Sequence, residues 1–436
     1  MLPALIATAA GRAVNLAQSP RDTADAFGPA AGEETEVVLI TLELTPVWTL
    51  VAALLTIELG KRLNRWLPWL ELGNIPPAVS GGLLLSVLLA GARSAGWLDV
   101  SLAGDVRGVL LLVFFASLGF AAHLGRLATA GTAALVICLA VAASIALQNT
   151  IGVLVAQAFG QPRSLGLFMG SIAYLGGHGT ATAWAATPAA ESLRGAFEIG
   201  IGSATLGLVF GGLVAGPVAA ALMSRSRASA APAAAVAAAD LAPAREPVFS
   251  SDRWLPSLLW LLLCLGLSPW LGGLAERHAG FSAPGFLTAL LTGVVLTNAA
   301  DALRRPLDTD VTDLIGTIAL RLFLAIALLS LDWAALLGHL PMLLAAAGLQ
   351  IAGVVAVATV VVFWLMGRDR DAAAAAGGFI GFGLGAMPVG LAVMRRLNAR
   401  YGDTPRAILA ITLAASLFPD TANALALAAL FGWLGQ

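Results

Sequence analysis

Charge is what this sequence has least of. Of its 436 residues only 11% are charged, against roughly 25% in soluble domains, so most of the chain does not face water. The formal net charge of −1 leaves no basic footprint, which excludes a nucleic-acid partner. Cysteine is nearly absent: Cys138 and Cys264 both fall inside apolar runs, where they read as small core residues rather than a disulfide or metal pair. The four histidines, His123, His178, His278 and His339, are widely scattered. No HExxH or nucleophile-elbow motif accompanies them, which argues against an intramembrane enzyme.

What the sequence has instead is apolar length. It is 59% hydrophobic with a mean hydropathy of +0.88. Its apolar runs repeat at close to the roughly 20 residues needed to cross a bilayer. The expected fold is therefore an all-α polytopic membrane protein. Residues 1–46 read as an N-terminal tail, helical in places, and a poor signal peptide because no basic region precedes its apolar start. Candidate spans follow at Val47–Leu63, Pro77–Ala90, Val106–His123, Thr132–Phe159 and Phe197–Met223. A glycine-rich stretch, Ser164–Ala186, lies between the last two. Residues 224–252, rich in Ala, Pro and Ser, read as a flexible connector. The second half offers Trp254–Glu276, Pro284–Ala300, Val311–Trp333, Leu340–Met366 and Arg406–Leu434, with the glycine-rich stretch Ala372–Arg396 before the last.

The two halves, 47–223 and 253–436, repeat each other. Pro77 matches Pro284, Phe114 matches Phe323, Gly170 matches Gly378 and Thr205 matches Thr412, at offsets between 207 and 209 residues. A steady offset across several helices points to duplication. Five spans plus one re-entrant hairpin per half, at 164–186 and 372–396, is an odd count. It places the second half upside down, as an inverted-topology repeat. Lys61, Arg62 and Arg65 after the first span put that loop in the cytoplasm. The linker is then cytoplasmic, and both termini lie outside.

Within this frame Gly170–Trp184, GSIAYLGGHGTATAW, cannot be an ordinary spanning helix. Glycine costs on the order of 1 kcal/mol per helix-interior position relative to alanine, so Gly176, Gly177 and Gly179 read as unwound backbone. At membrane depth such backbone survives only when buried in protein or lining a wet cavity. Gly378–Val393, GFIGFGLGAMPVGLAV, is its counterpart. Paired broken segments are the best sequence pointer to a secondary transporter's binding site, and they fit alternating access better than a channel.

GSIAYLGGHGTATAW and GFGLGAMP resemble the bacterial sodium:glutamate symporter family. So do IPPAVSGGLL (Ile75–Leu84), LQNTIG (Leu147–Gly152), TLGLVFGGLVAGPVA (Thr205–Ala219) and FPDTANAL (Phe418–Leu425). The resemblance implies Na⁺-coupled symport of L-glutamate across the bacterial inner membrane by a homodimer. It also implies an elevator-type mechanism, with the first three spans of each half as scaffold and the rest as the transport domain. Leu175 stands where the family usually has Ser, and Met387 where it has Thr. These departures motivate a second reading, the same fold carrying another carboxylate or amino acid, or coupled to protons.

Binding residues follow from the chemistry of a small anion and its cation. Half-helix N-termini suit carboxylates, and unwound carbonyls suit Na⁺. Gly176, Gly177, Gly179 and Thr180, with Gly383, Gly385 and Ala386, are substrate-site candidates, against the bland alternative that the glycines only allow close helix packing. His178 either meets a substrate carboxylate and titrates, or closes the hairpin tip as a neutral ring. Gln148 and Asn149 are further substrate candidates; they and Gln350 equally suit interhelical hydrogen bonds. For Na⁺ the candidates are Asp420, Thr421, Asn423 and Thr182. Asp420 is an intramembrane carboxylate after Pro419, or else the cap of a helix restarting there. Arg321, mid-span, reads as a structural pair or a snorkelling cation.

Overall fold

The computed structural model describes residues 14–16, 40–68, 70, 75–125, 131–226, 251–279, 283–304, 307–385 and 387–434. Of the tail, residues 14–16 and 40–46 are described, and of the connector residues 227–250 lie outside the described residues.

Fifteen α-helices account for most of the described chain: α1 Pro46–Trp66, α2 Pro77–Ser94, α3 Gly104–Phe120, α4 Gly131–Ala158, α5 Ser171–Tyr174, α6 Gly177–Ala185, α7 Ala196–Ser224, α8 Ser251–Ala279, α9 Gly285–Ala302, α10 Thr309–Leu329, α11 Trp333–Gly338, α12 Leu340–Val357, α13 Arg370–Leu384, α14 Met387–Tyr401 and α15 Pro405–Leu434. Helix α12 runs on as a π-helical turn, Ala358–Phe363. Seven of them, α2, α4, α7, α8, α9, α10 and α12 with its extension, are long and apolar enough to cross a membrane. The protein is a multi-pass helical membrane protein.

The purely helical expectation needs one correction. Three short strands, β1 Val14–Leu16, β2 Ile40–Glu43 and β3 Leu98–Ser101, form a small sheet. Strand β2 pairs antiparallel with β1 and parallel with β3. Ile40, Leu42 and Val100 supply β-branched and apolar positions at helix ends, where a short strand satisfies backbone groups that no helix claims. The described residues of the tail thus form strands β1 and β2 ahead of α1 rather than a helix of their own.

Local chemistry sets the helix starts. Pro77 occupies the first turn of α2, where its missing N–H costs nothing. Asp369 caps α13, accepting from the Ala372 N–H at 2.8 Å, and Asp332 caps α11 through the Ala334 N–H at 2.9 Å.

Packing sorts the helices into two groups. In the first, α3 packs on α9 and α10, α1 on α2, α2 on α10, and α8 on α9. In the second, α7 packs on α6 and α13, α4 on α12 and α15, and α13 on α14. Gly119 and Gly293 let α3 and α9 cross backbone to backbone, since a Cβ on Gly119 would lie 2.9 Å from the Gly293 Cα.

One polar bond crosses between the groups: Trp333 Nε1 of α11, a helix that packs on α7 and α12, donates to Ser86 Oγ of α2 at 3.0 Å. Others stay inside a group. Arg253 Nε and Nη2 donate to Asp308 at 2.5 and 2.9 Å, tying α8 to the start of α10. His123 Nδ1 meets Asp301 at 2.5 Å, joining the ends of α3 and α9. Arg406 reaches Asp369 at 2.8 Å, joining α15 to α13. Apolar contacts also join the groups. Phe114 and Leu320 lie against Gly179, Phe286 sits edge-on to Trp184 at 5.4 Å, and Val389 shares a cluster with Val79 and Leu328.

Candidate functional site

The two glycine-rich stretches are both interrupted helices, with breaks sharper than the sequence suggests. In the first, α5 ends at Tyr174 and α6 begins at Gly177, whose φ of +70° is left-handed. Only glycine adopts that backbone without strain. Gly179, Thr180 and Thr182 lie inside α6, so the expected unwinding at Gly179 is corrected to helix. In the second, α13 ends at Leu384 and α14 begins at Met387. Gly383 is the penultimate residue of α13. Gly385 forms the break, and Ala386 lies outside the described residues.

The breaks meet. A Cβ on Gly177 would lie 3.6 Å from the Gly385 carbonyl oxygen, across 208 residues of sequence. Gly207 of α7 runs against both, facing the Leu384 carbonyl, with the Tyr174 ring 2.8 Å from where its Cβ would be. Any side chain there would force the breaks apart. Gly176 and Gly177 are half-buried beside this junction, which gives them access to a small ligand.

His178 follows the first break and is buried. Its Nε2 lies 3.0 Å from Thr205 Oγ1, and that hydroxyl donates to the Ile201 carbonyl at 2.9 Å. The hydroxyl proton is committed to Ile201, so Nε2–H donates to Thr205 Oγ1. Thr182 donates to the His178 carbonyl at 2.9 Å, which spends its proton inside α6.

Amides and hydroxyls stitch the hairpins to their neighbours. Asn149 Nδ2 donates to Ser171 Oγ at 2.8 Å, and its Oδ1 accepts from the Ser171 N–H at 3.1 Å. Ser171 Oγ also lies 2.6 Å from Asn423 Oδ1, while Asn423 Nδ2 donates to the Ser171 carbonyl at 3.0 Å. Asn149 and Asn423 therefore hold α4, α5 and α15 together, and their amides are engaged by the protein. Gln148 Nε2 donates to the Gly383 carbonyl at 2.8 Å. Gln350 Nε2 donates to the Gln148 and Met169 carbonyls, both at 2.8 Å.

Asp420 and Thr421 are half-buried on α15. The helix runs unbroken through Pro419, so no helix restarts there for Asp420 to cap. Among the described residues the Asp420 carboxylate has no hydrogen bond or ion pair. Pro419 lacks an N–H, which leaves the Ala415 carbonyl one turn earlier without its helical donor. Arg321 is exposed on α10, away from the breaks and in line with Asp313 and Thr317 at helical spacing.

Ser171, Tyr174, Ser203 and Thr205 are the site residues that sequence reasoning missed. The Tyr174 and Ser203 hydroxyls lie beside one another, buried, with no other partner among the described residues. A hydroxyl on the buried face of a glycine-rich stretch was the available signal for Ser171.

The architecture defines a class, the polytopic membrane proteins built around two interrupted helices whose breaks meet inside the bundle. Comparison with known proteins gives the family. Residues 42–403 match the model of the sodium/glutamate symporter family. The sodium/glutamate symporter of Escherichia coli K12 is 34% identical over 384 residues, covering 86% of this chain and 95% of that protein. That of Haemophilus influenzae is 32% identical over 382 residues, covering 86% and 94%. The chain belongs to the sodium/glutamate symporter family, a family of transporters and not of enzymes.

Proposed function

We propose that this protein is a secondary transporter that couples Na⁺ entry to uptake of L-glutamate across the bacterial inner membrane. The observation that carries this reading is the meeting of Gly177 and Gly385. It sets two broken helices around one buried point in a chain of this family. Half-helix ends and freed backbone groups there suit a carboxylate and a small cation. Gly176, Gly177 and Thr180 on one side and Gly383 and Gly385 on the other form the substrate pocket. As a neutral ring, His178 would present an acceptor at Nδ1, which suits the substrate ammonium group better than its carboxylates.

The succession of elements supports an inverted repeat. Helices α2, α3, α4 and α7 have their counterparts in α9, α10, α12 and α15, with an interrupted pair before the last in each half. The division into two packing groups supports an elevator. The group carrying both breaks, α4–α7 and α12–α15, is the transport domain, and α1–α3 with α8–α10 is the scaffold. A largely apolar boundary lets one slide on the other, with the Trp333–Ser86 hydrogen bond exchanged in the movement. The linker is cytoplasmic, both termini are periplasmic, and the assembly is a homodimer in the lipid bilayer, as in the resemblance drawn above.

A second reading keeps the fold and changes the cargo or ion. Leu175 is buried in the apolar core and Met387 packs against it, so two positions flanking the breaks offer no hydroxyl. Unpaired Asp420 is a carboxylate able to carry a proton as well as bind Na⁺.

Radiolabelled L-glutamate uptake into proteoliposomes, with an inward Na⁺ gradient and with K⁺ replacing Na⁺, tests both. Accumulation only with Na⁺ is expected. Accumulation driven equally by a proton gradient, or no glutamate uptake by folded protein, would shift the assignment to the second reading.

A further inference from the structure

Three side chains near the second break are buried, polar and only partly used. Ser144, Gln148 and Gln350 are each 0% exposed. The amide nitrogen of Gln148 is fixed by the Gly383 carbonyl, and that of Gln350 by the Gln148 and Met169 carbonyls. Turning either amide over would set oxygen against oxygen, so the orientation of both is determined. Their Oε1 atoms are then the free ends, and neither finds a hydrogen-bond partner among the described residues. Ser144 Oγ, one turn before Gln148 on the same face of α4, has none either.

Buried polar atoms are nearly always satisfied, so each orphan asks for an explanation. Ser144 and Gln148 lie one turn apart on α4, and Gln350 reaches the Gln148 carbonyl from α12 at 2.8 Å, so the three orphaned oxygens all belong to side chains at the α4–α12 interface. All are neutral, and no carboxylate accompanies them. Such a set suits a dehydrated monovalent cation: oxygen ligands replace its water, and a divalent ion would need more charge to compensate its dehydration.

We infer that Ser144, Gln148 and Gln350 form a binding site for the coupling Na⁺, with Ser144 Oγ and the two amide oxygens as ligands. The inference rests on the sodium-coupled reading and locates the ion away from Asp420. It also supplies a link between ion and substrate. Gln148 is bonded to Gly383, two residues before the second break, and Gln350 to Met169, which leads into the first broken helix. Pulling both amides onto an ion sets the position of both arms at once. Positive coupling between Na⁺ and substrate follows, because each favours the same arrangement of the breaks.

The test is Na⁺-dependent thermal stabilisation of the purified full-length protein, with choline as the balancing cation and no substrate present. Ser144→Ala is the informative variant, since its hydroxyl makes no bond within the protein and its loss does not disturb the fold. The expected result is an unchanged melting temperature without Na⁺ and about a tenfold higher Na⁺ concentration for half-maximal stabilisation. Gln350→Met, similar in volume but without the amide oxygen, is expected to weaken the response further. An unaltered Na⁺ midpoint in Ser144→Ala would overturn the site and leave the oxygens to a buried water. A response lost in Asp420→Asn but intact in Ser144→Ala would move the ion to α15. No Na⁺ response in the wild-type protein, by contrast, removes the sodium reading itself.

Discussion

The two helical groups hold themselves together by partly different means. Both are tied at a rim by charge, the first through Arg253 with Asp308 and the second through Arg406 with Asp369, but they differ in their middles. The second is tied through its middle by neutral amides and hydroxyls, with Asn149, Ser171 and Asn423 interlocked and Gln148 and Gln350 bonded to hairpin carbonyls. Charge is costly at membrane depth, and neutral hydrogen bonds are the means of ordering broken backbone there. Where the chain must leave regular helix, the buried polar groups gather. Where it does not, glycine and apolar packing suffice. At the boundary between the groups apolar contacts are joined by the Trp333–Ser86 hydrogen bond.

The largest test of this contrast is Asn149→Leu. It strips the acceptor from the buried Ser171 N–H and a donor from Ser171 Oγ, at a cost of about 1–3 kcal/mol for each group left unpaired. A lower melting temperature together with lost uptake is expected. An unchanged melting temperature would mean that the interlocked trio does not hold the second group together. Next in size is Gly177→Ala, which forces a Cβ onto left-handed backbone at about 1–2 kcal/mol. Gly179→Ala, inside α6, has no such backbone penalty, and the alanine needs only a few tenths of an ångström from Phe114 and Leu320. Uptake measured in the pair should fall far more in the first; equal loss would mean that the break is not at Gly177.

The smallest effect is expected at the rim. The Arg253 guanidinium beside Asp308 holds its carboxyl below the usual carboxylate range. A depressed folded-state value makes the stabilising contribution complete above the unfolded pKa of about 3.9, and it is lost as pH falls through the folded value. Asp308→Asn should therefore lower the melting temperature slightly at neutral pH and flatten its fall below pH 4. The Arg253 and Asp308 side chains are 30% and 29% exposed, so salt should screen part of the difference. A large, salt-insensitive loss would erase the distinction between rim and middle.

Much of this organisation was legible in the chain. Hydropathy located the spans, and glycine density located both interrupted helices to within a few residues. Which glycine breaks the helix was not legible. Gly176, Gly177 and Gly179 carry the same local cost, and only packing against α7 and Gly385 selects the left-handed turn at Gly177. Asn149 and Asn423 read as ligands because an intramembrane amide suggests function. Their partner Ser171 lies 22 residues from one and 252 from the other, and no pattern within a single helix announces it. The small sheet escaped for a similar reason, since β2 and β3 pair across two intervening helices.

The sequence by itself determined that the protein is a multi-pass membrane protein, that two glycine-rich stretches interrupt its helices, and which family it resembles. Those are consequences of transfer free energy and backbone entropy, which each residue carries wherever it is placed. The tertiary structure decided that the two breaks touch, which oxygens are engaged and which are left free, and where one helical group ends and the next begins. A hydrogen bond exists only when two particular atoms come within about 3 Å, and the fold alone brings them there.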